Sequence, residues 1–122
     1  MLVGVAAAFG AWLRWLITYF LSTVDPSLPH GTLAVNLIGG LVIGISFAAI
    51  QSTSIHVSEE LKLILNVGFL GAFTTYSAFS LDTINFLINA QVNKAFLNIL
   101  LNTALCISAA YFGICMGRFF LR

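Results

Sequence analysis

The chain has 122 residues, 60% of them hydrophobic and 7% charged, with a mean hydropathy of +1.03. A water-soluble domain of this size has no use for so much apolar surface, so that class is excluded. A net charge of +1 leaves no electrostatic footprint for nucleic acid.

The first apolar segment runs from about Leu2 to Thr23, enough for one bilayer crossing at about 20 residues per helical span. It has no basic leader and carries Arg14 in its middle, which argues against a signal peptide. Val24 to Gly31 holds Pro26, Pro29 and Gly31 and reads as a loop. A second span covers about Thr32 to Ile50, and Gln51 to Val57 is the second loop. Ser58 is placed to cap the next helix, with Glu59 and Glu60 in the first turn where the helix dipole favours acids. The third segment extends from Glu59 to about Ile88. Asn89 to Lys94 forms the last loop, and the fourth span covers about Ala95 to Phe120, with Arg118 and Arg122 at its end. The expectation is a single all-α membrane domain of four transmembrane helices.

The third segment is too long for one straight crossing. Thirty residues make roughly 45 Å of helix against a hydrocarbon core of about 30 Å. Its middle, Gly71-Ala72-Phe73-Thr74-Thr75-Tyr76-Ser77-Ala78-Phe79-Ser80, carries four serine and threonine hydroxyls and a glycine. Such backbone at membrane depth is tolerated where it is buried in protein or lines a cavity. A break near residues 71–75 is expected; the alternative is an unbroken helix whose hydroxyls bond to the carbonyl one turn back.

Ala7/Ala11, Gly40/Gly44 and Gly113/Gly117 each place small residues one turn apart, which lets helices approach closely and suggests oligomerisation. The spacings do not say which helices meet. Basic residues are few and split between the two sides, so the positive-inside rule specifies orientation weakly. Two copies inserted in opposite senses would then give the inverted-repeat symmetry of larger transporters.

Polar residues fall in stripes. Thr32, Asn36, Gly40 and Gly44 recur every four residues on the second span, and Asn98, Asn102 and Cys106 do so on the fourth. Tyr76 and Phe79 share a face of the third. Asparagines in hydrocarbon can act as interhelical glue. They can also form a track of donors, with hydroxyls and electropositive ring edges, for an anion that has shed its water. Arg14 could draw an anion into a vestibule, snorkel to the interface or pair with Asp82. Asp82, the acid within an apolar segment, could be paired, solvated or a proton carrier. Cys106 and Cys115, nine residues apart, suit packing better than a bridge or a zinc site. His30 and His56 fall in loops, and no catalytic constellation is visible.

The run from Gly71 to Ser80, followed by Leu81-Asp82, resembles the motif of the CrcB/Fluc family of fluoride channels, roughly Gly-x-x-Thr-Thr-Phe-Ser-Thr-Phe-Ser with an acid two residues on. Phe9-Gly10-Ala11-Trp12-Leu13-Arg14 is similar to its Gly-Ala-x-x-Arg element, and Gly31-Thr32-Leu33-Ala34-Val35-Asn36-Leu37-Ile38-Gly39 to its Gly-Thr-x-x-Val-Asn-x-x-Gly element. The resemblance covers nearly the whole chain. It implies an antiparallel dual-topology homodimer in the cell membrane that passes fluoride passively and selects against chloride. It places Asn36, Tyr76, Phe79, Thr32 and Ser77 along the fluoride pore. Asn98, Asn102 and Cys106 would form the fourth-helix track, and Arg14 would stand in the vestibule. Gly71 and Thr74 would offer backbone carbonyls to a structural Na+ at the dimer centre. Three departures stand out: Tyr76 replaces the commoner Phe, Asp82 the commoner Glu, and two amides and a thiol stand where the fourth helix usually has hydroxyls. The rival class is a small dual-topology proton-coupled antiporter of the multidrug type, which needs a carboxylate in its first span.

Overall fold

Apolar runs bounded by proline, glycine and capping residues become four membrane-length helical segments in the computed structural model, which describes residues 1–24 and 28–121. Asp25, Pro26 and Ser27 of the first loop, and Arg122, lie outside the described residues. Among the described residues every regular element is a helix. Helix α1 is Leu2–Val24 and α2 is His30–Gln51. Pro29 immediately precedes α2, because proline is tolerated at a helix start and not in its interior. The third segment comprises α3, residues 59–73, and α4, Tyr76–Ile88. The fourth is α5, Val92–Phe120.

Ser58 caps α3 as its chemistry suggests, its Oγ accepting from the Leu61 N–H at 3.2 Å. Lys62 pairs with Glu59 at 2.6 Å on the same turn. Two stretches, Leu63–Leu70 in α3 and Leu101–Leu105 in α5, are wound in wider π turns. The Gly71 N–H reaches back five residues to the Asn66 carbonyl. At the end of α4 the Ala90 N–H bonds to Leu87 O at 3.0 Å and the Gln91 N–H to Phe86 O at 2.8 Å. This is the Schellman pattern, and it places Ala90 at φ +56°, where glycine is the usual residue.

Two of the three small-residue pairs are used inside the chain. A Cβ on Gly40 would lie 2.8 Å from the Cys106 carbonyl oxygen, and one on Gly44 would collide with the Ala110 carbonyl. Gly113 and Gly117 answer from α5, facing Leu41, Ile45 and Ala48 of α2. These two pairs join α2 to α5 and are closed to a second copy. They are therefore not the surfaces through which a second copy would pack. On the other side Gly10 of α1 lies against the Phe69 carbonyl, and Gly68 of α3 against the backbone of Val3. Val35, Leu70 and Phe73 form the buried centre, with Leu13, Ile17, Val42 and Phe69 around them. Large apolar side chains cover the outside, including Trp12, Trp15, Phe96, Ile107 and Phe119. Such a surface suits lipid, and the protein is a multi-pass membrane protein.

Candidate functional site

The site is organised by the interruption between α3 and α4, at Thr74 and Thr75. Thr74 is extended (φ −82°, ψ 160°) and so is Thr75 (φ −151°, ψ 109°). This lies within the window expected from sequence. Unwinding a helix in hydrocarbon frees backbone groups that must find partners. The Asn36 side chain of α2 supplies two of them. Its Oδ1 accepts from the Thr75 N–H at 2.8 Å, and its Nδ2 donates to the Thr75 carbonyl at 3.1 Å. Thr75 also begins α4, its Oγ1 accepting from the Ala78 N–H at 3.1 Å. Arg14 Nη1 donates to the Thr74 carbonyl at 3.3 Å. The back-bonding alternative coexists with the break: Thr74 Oγ1 donates to Leu70 O at 3.0 Å, Ser80 Oγ to Tyr76 O at 2.9 Å and Thr83 Oγ1 to Phe79 O at 2.8 Å.

From Asn36 a chain of amides crosses to α5 and returns to α4. Asn36 Nδ2 donates to Asn102 Oδ1 at 3.0 Å. Asn102 Nδ2 donates to Asn98 Oδ1 at 3.0 Å, and Asn98 Nδ2 to Thr83 Oγ1 at 2.9 Å. Each of these three amide nitrogens has a second acceptor within the chain as well. Asn98 and Asn102 are buried.

Beside this network lies an open groove of about 460 Å³. Asn36, Asn66, Asn102, Thr75, Thr103 and Cys106 give it polar atoms, and Tyr76, Phe79, Leu70, Ile43 and Ile107 give it apolar walls. Gly71 and Thr74 also open on it. The Tyr76 and Phe79 rings meet edge-on at 5.3 Å and 60°. Phe79 is buried, whereas Tyr76 is 79% exposed on the open side. The groove lining contains no ionisable carboxylate or base. An uncharged lining of amides, hydroxyls and ring edges can accommodate a small anion without trapping it.

The family model described as "CrcB-like protein, Camphor Resistance (CrcB)" matches residues 1–114. The chain belongs to the CrcB-like family. Its similar relatives include proteins named fluoride-specific ion channel FluC. One from Shewanella frigidimarina (strain NCIMB 400) is 41% identical over 114 residues, 93% of this chain and 90% of the relative. One from Shewanella sp. (strain W3-18-1) is 42% identical, and one from Shewanella baltica (strain OS185) 40%, over the same shares.

Within this CrcB-like chain the structure gathers Asn36, Tyr76, Phe79, Asn102, Cys106, Gly71 and Thr74 around the groove. Asn98 stands behind it, bonded into the amide chain. Ser77 is exposed at the start of α4, its hydroxyl 3.4 Å from Thr75 Oγ1. Thr32 lies elsewhere: its hydroxyl donates to Asp82 Oδ2 at 2.9 Å, in a second pocket of about 360 Å³ beside Pro29 and His30. The Arg14–Asp82 pair considered from sequence is not formed, since Arg14 bonds to the Thr74 carbonyl and Asp82 to Thr32. Three polar groove residues, Asn66, Thr75 and Thr103, were not among the site residues expected from sequence. Asn66 carried a readable signal, an amide at membrane depth five residues before Gly71. Thr103 carried none, because one hydroxyl on a helix says nothing about its facing.

Proposed function

We propose that this protein is a passive fluoride-selective channel that exports fluoride through the cell membrane, and that it works as an antiparallel homodimer. It is a channel and not an enzyme. The observation that carries the reading is the uncharged groove beside the interrupted third span, in a chain about 41% identical over most of its length to proteins named for fluoride conduction. Fluoride is small and strongly hydrated, so its water must be replaced by several donors at once, each weak enough to let it leave. Tyr76 and Phe79 offer ring edges, and Tyr76 and Thr75 offer hydroxyls. Thr75 and Tyr76, at the N-terminal, positive end of α4, line the same opening.

The homodimer is supported by the groove's open side. Four helices leave Tyr76 79% exposed, and a second copy across that side would close the passage. Opposite insertion of the two copies suits a chain with so weak a charge bias.

A structural Na+ at Gly71 and Thr74 suits the chemistry of these residues. In an unbroken helix the Gly71 carbonyl would bond to the Thr75 N–H, but Asn36 takes that N–H at 2.8 Å. The Thr74 carbonyl accepts only a long 3.3 Å bond, from Arg14. Each chain thus offers two carbonyl oxygens on the groove, and two chains would offer a neutral oxygen set suited to a hard monovalent cation. When bound, the ion would tie the two interrupted helices together.

A proton-coupled antiporter is not supported. Helix α1 has no carboxylate, and Asp82 is bonded to Thr32 away from the groove. The deciding experiment is reconstitution in liposomes with efflux of fluoride and of chloride measured in parallel. Rapid fluoride efflux without a proton gradient, with little chloride efflux, is expected. Equal efflux of both ions, or none, would overturn the reading.

A further inference from the structure

We infer that Asn66 is an anion-contacting donor of the groove and that Ser46 is the positioning residue that aims it; this rests on the channel reading above. Four amide side chains stand on or behind the groove. The nitrogens of Asn36, Asn98 and Asn102 each donate to two acceptors of the same chain. Asn66 differs. Its Oδ1 accepts from Ser46 Oγ at 2.8 Å, and its Nδ2 has no acceptor among the described residues.

That nitrogen is not sealed in protein. Among the described residues no buried side-chain nitrogen or oxygen lacks a partner, so an unpartnered Nδ2 on this half-buried residue reaches open surface. The opening that Asn66 lines is the groove, which it shares with Asn36, Gly71 and Cys106. An amide N–H₂ left without an acceptor at membrane depth is costly, so something in the groove must accept from it. An N–H group donates, which selects an anion or water and rejects a cation.

The backbone and the buried Ser46 hydroxyl hold the side chain in place. The π turn from Asn66 to Gly71 sets the amide on the same stretch of helix wall as the interruption. Ser46 is 8% exposed and holds the oxygen end, which turns the nitrogen end outward. Its hydroxyl thus acts on the ion only through Asn66.

The test uses the full chain, purified and reconstituted at known density, with fluoride efflux per protein and oligomeric state measured for each variant. Asn66→Ala and Asn66→Asp are each expected to lower fluoride efflux about tenfold, the scale of one lost hydrogen bond to a charged group. Asn66→Asp keeps the volume and the Ser46 bond but presents oxygen in place of N–H₂. Ser46→Ala should lower efflux by about threefold, as aim is lost without the donor, and Ser46→Thr, which keeps the hydroxyl, should restore it. Wild-type efflux from either Asn66 variant overturns the inference. So does failure of both to assemble, which would assign Asn66 to the dimer instead. Absence of fluoride efflux in the unsubstituted protein would overturn the channel reading itself.

Discussion

Replacing Asn36 by alanine isolates the contact that holds the interrupted helix in shape. Three bonds are lost: Thr75 N–H to Oδ1 at 2.8 Å, Nδ2 to the Thr75 carbonyl at 3.1 Å, and Nδ2 to Asn102 Oδ1 at 3.0 Å. Their losses are unequal. Thr75 is 8% exposed, and its N–H would be left buried and unpaired, at roughly 1–3 kcal/mol. The Thr75 carbonyl begins α4 and retains a helical partner, and Asn102 Oδ1 loses an interhelical bond, each about 0.6 kcal/mol in a membrane protein. The expected destabilisation is therefore about 2–4 kcal/mol, concentrated at the interruption. Unfolding in mixed detergent micelles would report the total, and hydrogen exchange at the Thr75 amide would report the place. Asn36→Ala with unchanged stability and a Thr75 amide as protected as in the parent would refute the reasoning. Asn36→Asp should be worse for conduction. It retains the acceptor for Thr75 N–H but sets carboxylate oxygen against the Thr75 carbonyl and Asn102 Oδ1, and it adds a fixed negative charge to an anion path.

Phe79→Ile removes the buried ring from the groove while keeping apolar volume, and it should abolish fluoride efflux from liposomes with the dimer still assembled; unchanged efflux would remove Phe79 from the passage. Thr75→Ala deletes the side-chain cap of α4 and should cost about 1 kcal/mol in the same unfolding assay, with Thr75→Ser near neutral. Ala90→Gly relieves a left-handed alanine and should stabilise the protein by about 1 kcal/mol, with no change in efflux. Gly113→Leu would drive a side chain into the Leu41 backbone of α2 and should prevent recovery of folded protein from membranes.

Much of the fold was legible because its causes are local. Hydropathy over a window marks a span, proline and glycine end one, and Ser58 with its two glutamates announces a helix start. The interruption was legible for the same reason: Gly71, Thr74 and Thr75 sit in a segment about half as long again as a membrane needs. Of the two stripes, Asn36 and Gly40, and Asn102 and Cys106, line the groove, whereas Thr32 of the first faces Asp82 and Asn98 of the second is bonded to Thr83. The periodicities could not tell which side of each amide is already bonded.

Sequence alone thus determined an all-helical, four-span membrane chain with a break in the third span, and the CrcB-like motifs that mark its family. These follow from transfer free energy and backbone preference, which depend on neighbours in the chain. Tertiary structure alone decided that the glycine pairs join α2 to α5, that Thr32 serves Asp82 and not the groove, and that Asn66 keeps its donors free. Those outcomes depend on which groups from distant spans come within hydrogen-bond reach, and no periodicity within one helix carries that information.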